Sequence, residues 1–130
     1  MSDLETKKEN FKKALASLEE FIADYKATPK KSIRGGIIQG FEICWEVGWK
    51  TLRAYLIDQG ITGMIGAKDV FREAYAYGII DDEKIWEQSL KDRNLTSHTY
   101  DEKTAEKIFS RICNDYLPVF RKLCRFFSEN

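Results

Sequence analysis

The chain has one histidine, two prolines and no excess charge of either sign: Lys plus Arg and Asp plus Glu each number 21 among 130 residues. That balance excludes a global field drawing the chain to nucleic acid or an anionic membrane, so any RNA or nucleotide site must be local. Cys44, Cys113 and Cys124 are odd in number, far apart and outside any CxxC. Neither a disulfide framework nor a zinc site is indicated, and the three read as reduced, mostly buried thiols. With His98 as the sole histidine, a metal centre would need carboxylates alone, and neither calcium-loop nor HExxH spacing occurs. No metal and no other cofactor is expected. The opening "MSDLETKKEN" lacks the apolar centre of a signal peptide, and nowhere do roughly 18 apolar residues run together. A soluble, cytoplasmic protein with no membrane partner is expected.

What is present is helical periodicity. Leu4, Phe11, Leu15, Leu18, Ile22 and Tyr25 recur at threes, fours and sevens, with Ser2 or Asp3 available as a cap and Pro29 as a stop. From about Ser32 to Gln59, Ile33, Ile37, Phe41, Cys44, Trp45, Trp49, Leu52 and Leu56 form a wide stripe, closed by Gly60. "AKDVFREAYAYG" predicts a short helix with Val70, Phe71, Ala74 and Tyr75 inward and Gly78 as its stop. "DDEKIWEQSLKDRN" predicts a fourth helix burying Ile85, Trp86 and Leu90. Ala105, Ile108, Ile112, Tyr116, Val119, Leu123 and Phe126 trace a last helix that Pro118 should bend or interrupt. No segment alternates at a period of two, so the expectation is an all-α, up-and-down four-helix bundle with an additional short helix, forming one domain over residues 1–130. Three Trp, six Tyr and eight Phe exceed what a minimal bundle needs, which points to a homodimer that buries some of them.

Three stretches are candidates for chemistry. "RGGIIQG" is glycine-rich but lacks GxxxxGK[ST] and a preceding strand; it reads as close helix packing at Gly35, Gly36, Gly40 and Gly48. In "FEICWEVGWKTLRAYL", Glu42, Glu46 and Lys50 follow one another at four-residue steps on a face away from the apolar stripe, which reads as a solvated charged face with a Glu46–Lys50 pair. "DRNLTSHTYDE" concentrates Arg93, Asn94, Ser97, His98, Thr99 and Tyr100. A permanently charged guanidinium forks onto phosphate oxygens, and an imidazole passes protons near neutrality. Arg93 and His98 therefore suit metal-free RNA cleavage, or equally the binding of a nucleotide phosphate. On a regular helix, five residues separate their directions by roughly 140°, so either the helix is distorted between Asn94 and Thr99 or a second copy completes the pocket.

"RNLTSHTY" matches the Rx4HxY motif of the HEPN superfamily, with Arg93, His98 and Tyr100 at its three defining places. "FEICWEVGWKTLRAYL", "FREAYAYGII" and "WEQSLKDRNLTSHTYDE" resemble, in that order, blocks of its nucleotidyltransferase substrate-binding branch. The likeness runs from about Phe11 to Leu123; Gly36 and Gly40 depart from it, standing where larger or charged residues are common. The resemblance implies a dimerising helical bundle encoded beside a small nucleotidyltransferase. It further implies a toxin-like, metal-independent ribonuclease with Arg93 and His98 catalytic, Asn94 a polar helper and Tyr100 the acceptor of AMP from the partner. The alternative it allows is a non-catalytic nucleotide- or substrate-binding subunit of a two-protein transferase.

Overall fold

The computed structural model describes residues 2–130, and among these there is no strand. Helix α1 spans Asp3–Ala27; the Ser2 hydroxyl oxygen caps it by accepting from the Glu5 N–H at 3.1 Å. After the Pro29 break, α2 spans Lys31–Asp58 and runs antiparallel to α1, its glycines meeting α1 side chains. A Cβ on Gly48 would stand 2.9 Å from the Phe11 ring and one on Gly36 2.8 Å from Phe21, while Gly40 faces Leu18. Three of the four expected packing glycines thus serve close approach. Gly35 does not, since nothing lies within 4 Å of a Cβ built there.

Gly60, at φ +92°, stops α2, and the Ile61 N–H returns to the Leu56 carbonyl at 3.0 Å. Helix α3 spans Ala67–Ala76 and ends in the same way at Gly78. Val70, Phe71 and Ala74 are its buried residues; Tyr75, expected inward, is 51% exposed because it lies a full helical step beyond Ala74, off the stripe. Helix α4 spans Glu83–Leu95, capped by the Asp82 carboxylate on the Ile85 N–H at 3.1 Å. Its buried line is Trp86, Ser89 and Asp92, with Ile85 and Leu90 half-buried at the flanks.

The last rod begins as α5, Glu102–Arg111, passes through a π-helical turn at Ile112–Tyr116, and continues as α6, Leu117–Glu129. Pro118 has no N–H and would clash with a carbonyl four residues earlier; the wider turn just before it accommodates the ring without breaking the rod. The extra residue in that turn shifts the apolar phase. Phe120, Leu123 and Phe127 are buried, whereas Val119 and Phe126, expected on the stripe, are half-buried.

The result is an up-and-down bundle of three long helical rods, α1, α2 and the α5–α6 rod, with the shorter α4 as the fourth and the short α3 beside it. α2 packs on both α1 and α3, α3 also on α4, and α1 on α6. Phe41 stacks on Tyr116 and Phe120 at ring separations of 5.3 and 6.0 Å, and Trp86 sits between Phe71 and Phe120 at 5.2 and 5.6 Å. Each such pair adds about 0.5–1.5 kcal/mol beyond buried area, so this cluster ties α2, α3, α4 and α6 together and fixes the platform on which α4 sits. Cys44 is buried in the same interior, and burial raises its thiol well above the usual range, which makes it a packing residue and not a nucleophile. No helix among the described residues is long and apolar enough to cross a membrane.

Candidate functional site at the α4–α5 corner

The chain leaves α4 through a segment whose hydroxyls reshape it. Thr96 Oγ1 donates to the Arg93 carbonyl at 2.7 Å, Ser97 Oγ to the Asn94 carbonyl at 3.3 Å, and Thr99 Oγ1 to the Thr96 carbonyl at 3.2 Å. Side-chain donors that take carbonyls three residues back favour a tighter turn, and Thr96–His98 is a 3-10 helix. Asp101 then starts α5, its carboxylate accepting from the Thr104 N–H at 3.0 Å. The helix is therefore distorted between Asn94 and Thr99, one of the two ways in which the spacing problem could be met.

His98 and Tyr100 come together on this corner. His98 Nδ1 lies 3.2 Å from the Tyr100 hydroxyl, with the rings edge-on at 5.8 Å. That bond occupies Nδ1 and leaves Nε2 as the ring nitrogen free to meet a ligand. Tyr100 is 84% exposed, and Asn94 is exposed as well. Arg93 is not bonded to either His98 or Tyr100. It turns toward α2, where Nη1 lies 3.3 Å from Glu42 and Nε 3.5 Å from Glu46, and Nη1 donates to Thr96 Oγ1 at 3.2 Å. Glu46 in turn accepts from the Trp49 indole at 3.2 Å and lies 3.6 Å from Lys50. The expected Glu46–Lys50 pair is present, and the charged face of α2 proves to be the wall against which Arg93 rests. The four-residue step between Glu42 and Glu46 was the sequence signal for that wall.

One residue before Arg93, the chain buries a second ion pair that the motif does not mark. Asp92 is 1% exposed; its two oxygens accept from Arg111 Nη1 at 2.9 and 3.2 Å, and the Tyr116 hydroxyl donates to one of them in a short hydrogen bond. Gln88 donates to the same phenol oxygen at 3.1 Å. Burial first, and the hydrogen bond to Asp92 second, push the Tyr116 phenol well above its ordinary range, so it remains a donor. This network joins α4 to the π-helical turn and sets the rotation of α4, which in turn aims Arg93 at α2. Trp86, Ser89 and Asp92 step by threes along one face of α4, and that register was the available clue.

Known proteins share this architecture. A Haemophilus influenzae protein whose structure reveals the fold of a substrate binding domain of a nucleotidyltransferase matches at TM-score 0.76 with 29% identity, over 88% of this chain and 94% of its own. A Thermus thermophilus protein of known crystal structure matches at TM-score 0.79 with 34% identity, over 89% of this chain and 98% of its own. A tri-AMPylated Shewanella oneidensis HEPN toxin, solved in complex with MNT antitoxin, shares the fold at TM-score 0.78 and 15% identity over the full length of both chains. A probable ribonuclease HepT of Haemophilus influenzae is 37% identical over 86 residues, 63% of this chain. The match spans 58% of that relative's length. Residues 6–129 match the family model described as nucleotidyltransferase substrate binding protein like, and the chain belongs to that family.

Proposed function

We propose that this chain is the HEPN-type, toxin-like ribonuclease subunit of a pair whose other member is a small nucleotidyltransferase, and that it works in the cytoplasm without a metal. The observation that carries the reading is the α4–α5 corner itself, where His98, with one free ring nitrogen, ends the tight turn and Arg93, with a buried N–H that has no acceptor, lies in the last turn of α4 just before it. The identity to a probable ribonuclease supports it. In the proposed reaction the 2′-oxygen of a ribose attacks the adjacent phosphorus and the bond to the 5′-oxygen breaks, leaving a 2′,3′-cyclic phosphate and a 5′-hydroxyl. His98 Nε2 handles a proton at the attacking or leaving oxygen, Arg93 binds the charge on the phosphoryl oxygens, and Asn94 adds a polar contact.

Within one chain Arg93 faces α2 while His98 faces solvent, so a homodimer that brings two such corners together is part of the proposal. Tyr100 is the proposed acceptor of AMP: its oxygen attacks the α-phosphorus of ATP on the partner transferase, and pyrophosphate leaves. The added phosphodiester would put bulk and negative charge beside His98, where the RNA phosphate must sit.

A second reading, a non-catalytic substrate-binding subunit, is favoured by one observation: two carboxylates already neutralise Arg93. Cleavage of total cellular RNA in EDTA separates the two readings. Wild type is expected to cut, and His98→Ala to lose about a hundred- to ten-thousand-fold in rate while staying folded; Arg93→Ala is expected to fail as well. Absence of cutting by wild-type protein shown by mass to carry no AMP would remove the ribonuclease and leave the binding subunit.

A further inference from the structure

Arg93 is surrounded by charge and short of acceptors. Glu42 and Glu46 lie within ion-pair distance of it, yet neither contact is aligned as a hydrogen bond. Its buried Nε has no acceptor among the described residues, and its one side-chain hydrogen bond is the 3.2 Å contact to Thr96. A buried guanidinium N–H without a partner is rare enough to require a reason. Glu46 is itself held from the other side by Trp49 and Lys50, so that carboxylate is fixed while the guanidinium against it is loosely bound. Two carboxylates face two cations, Arg93 and Lys50, and the cluster carries no net charge.

A phosphate offers what the carboxylates at these angles do not, namely oxygens that a guanidinium can fork onto. We propose that Glu42 and Glu46 are specificity-determining residues of this site: they neutralise Arg93 in the free chain, and an RNA phosphate must displace them to gain it. The inference rests on the reading of Arg93 as the phosphate-binding group. Its consequence is that phosphate alone binds weakly, and only an RNA that makes further contacts gains the guanidinium. In a chain with no net charge, this restraint acts locally, at the one place where a backbone phosphate would otherwise be bound regardless of sequence.

The test is the affinity of a 2′-deoxy-substituted RNA oligonucleotide, which keeps its phosphates but lacks the attacking hydroxyl. Wild type, Glu42→Gln, Glu46→Gln and Glu46→Asp are compared, each with Arg93 and in an Arg93→Ala background. The Gln variants are expected to bind about three- to tenfold tighter at low salt, with the gain shrinking as salt is added. Glu46→Asp, which keeps the charge, is expected to stay near wild type. The gain should vanish in the Arg93→Ala background.

An equal gain without Arg93 would mean that the carboxylates act only through overall charge, and would overturn the proposal. So would no gain at all, or a gain in Glu46→Asp as large as in Glu46→Gln. Cleavage of ordinary RNA measured in parallel separates the two layers. Arg93→Ala that cuts like wild type removes the function reading itself, whereas Arg93-dependent cutting with no effect of either carboxylate removes only this inference.

Discussion

Asp92 and Arg93 are neighbours in the chain and opposites in the structure. Asp92 points into the bundle, where both carboxylate oxygens have donors from Arg111 and Tyr116. Arg93 points along α2, paired by charge with two glutamates but with a buried N–H that has no acceptor. The first pair is satisfied in the sense that folding requires of a buried charge. The second is incomplete, because the buried Nε has no acceptor, and it is on this gap that the proposed phosphate site rests. Hydrogen-bond accounting thus separates two ion pairs at consecutive residues, one complete within the fold and one not.

The contrast stands or falls first at Asp92. Removing one member of a buried, hydrogen-bonded pair strands the other, so Asp92→Ala should destabilise the fold by about 3–5 kcal/mol in urea unfolding. Arg93→Ala, whose partners are each about one-third exposed (33% and 36%), should change stability by no more than about 1 kcal/mol. Equal losses from the two substitutions would show that both pairs serve folding, and the distinction would fall.

A smaller effect tests the buried side. Tyr116→Phe keeps the stacking on Phe41 and deletes only the hydroxyl that serves Asp92 and Gln88. A hydrogen bond to a charged acceptor contributes about 1.5–3 kcal/mol, so a loss in that range is expected, roughly half of that from Asp92→Ala. If Asp92→Ala is made first, Tyr116→Phe should add much less than it costs alone, because the two share one network. Full additivity would mean that the phenol acts through its packing.

Most of the fold was legible because apolar residues repeat at the helical period and Gly60, Gly78 and Pro29 punctuate it. The phase beyond Tyr116 was not, because a π-helical turn adds one residue without altering the local spacing of apolar side chains; Pro118 was its only sign. At the site, the residue spacing of "RNLTSHTY" marked Arg93, His98 and Tyr100, and the structure brings His98 to Tyr100 but sends Arg93 to α2. Glu42 and Glu46 were visible as a charged face with Lys50 as the one partner read for it, and Arg93 was not foreseen there, since pairing between helices far apart in the chain leaves no local trace. Asp92 went unmarked because a carboxylate in a polar stretch reads as solvent-facing until its register with Trp86 and Ser89 is followed.

A third arginine lies between the two extremes and supplies the smallest expected effect. Arg34, at the start of α2, forks onto Glu102 of α5 with bonds of 2.7 and 2.9 Å and reaches Glu106 at 3.2 Å. It has the hydrogen bonds that Arg93 lacks, but its acceptors face solvent, unlike Asp92. The Arg34 hydrogen bond holds the Glu102 carboxyl below its ordinary value of 4.5. A carboxyl whose pKa is lower in the folded than in the unfolded chain binds its proton more readily when unfolded. Its contribution is therefore complete above the unfolded value and is lost as pH falls through the folded one. Wild type should exceed Arg34→Gln in stability by a small, constant margin near neutral pH, and that margin should close in acid below about pH 4.5 and shrink with added salt. Arg93→Gln, whose carboxylate contacts are not aligned as hydrogen bonds, should cost no more stability at neutral pH than Arg34→Gln. A larger loss from Arg93→Gln would mean that Glu42 and Glu46 hold Arg93 as a structural pair after all, and that its free donors are not kept for a ligand.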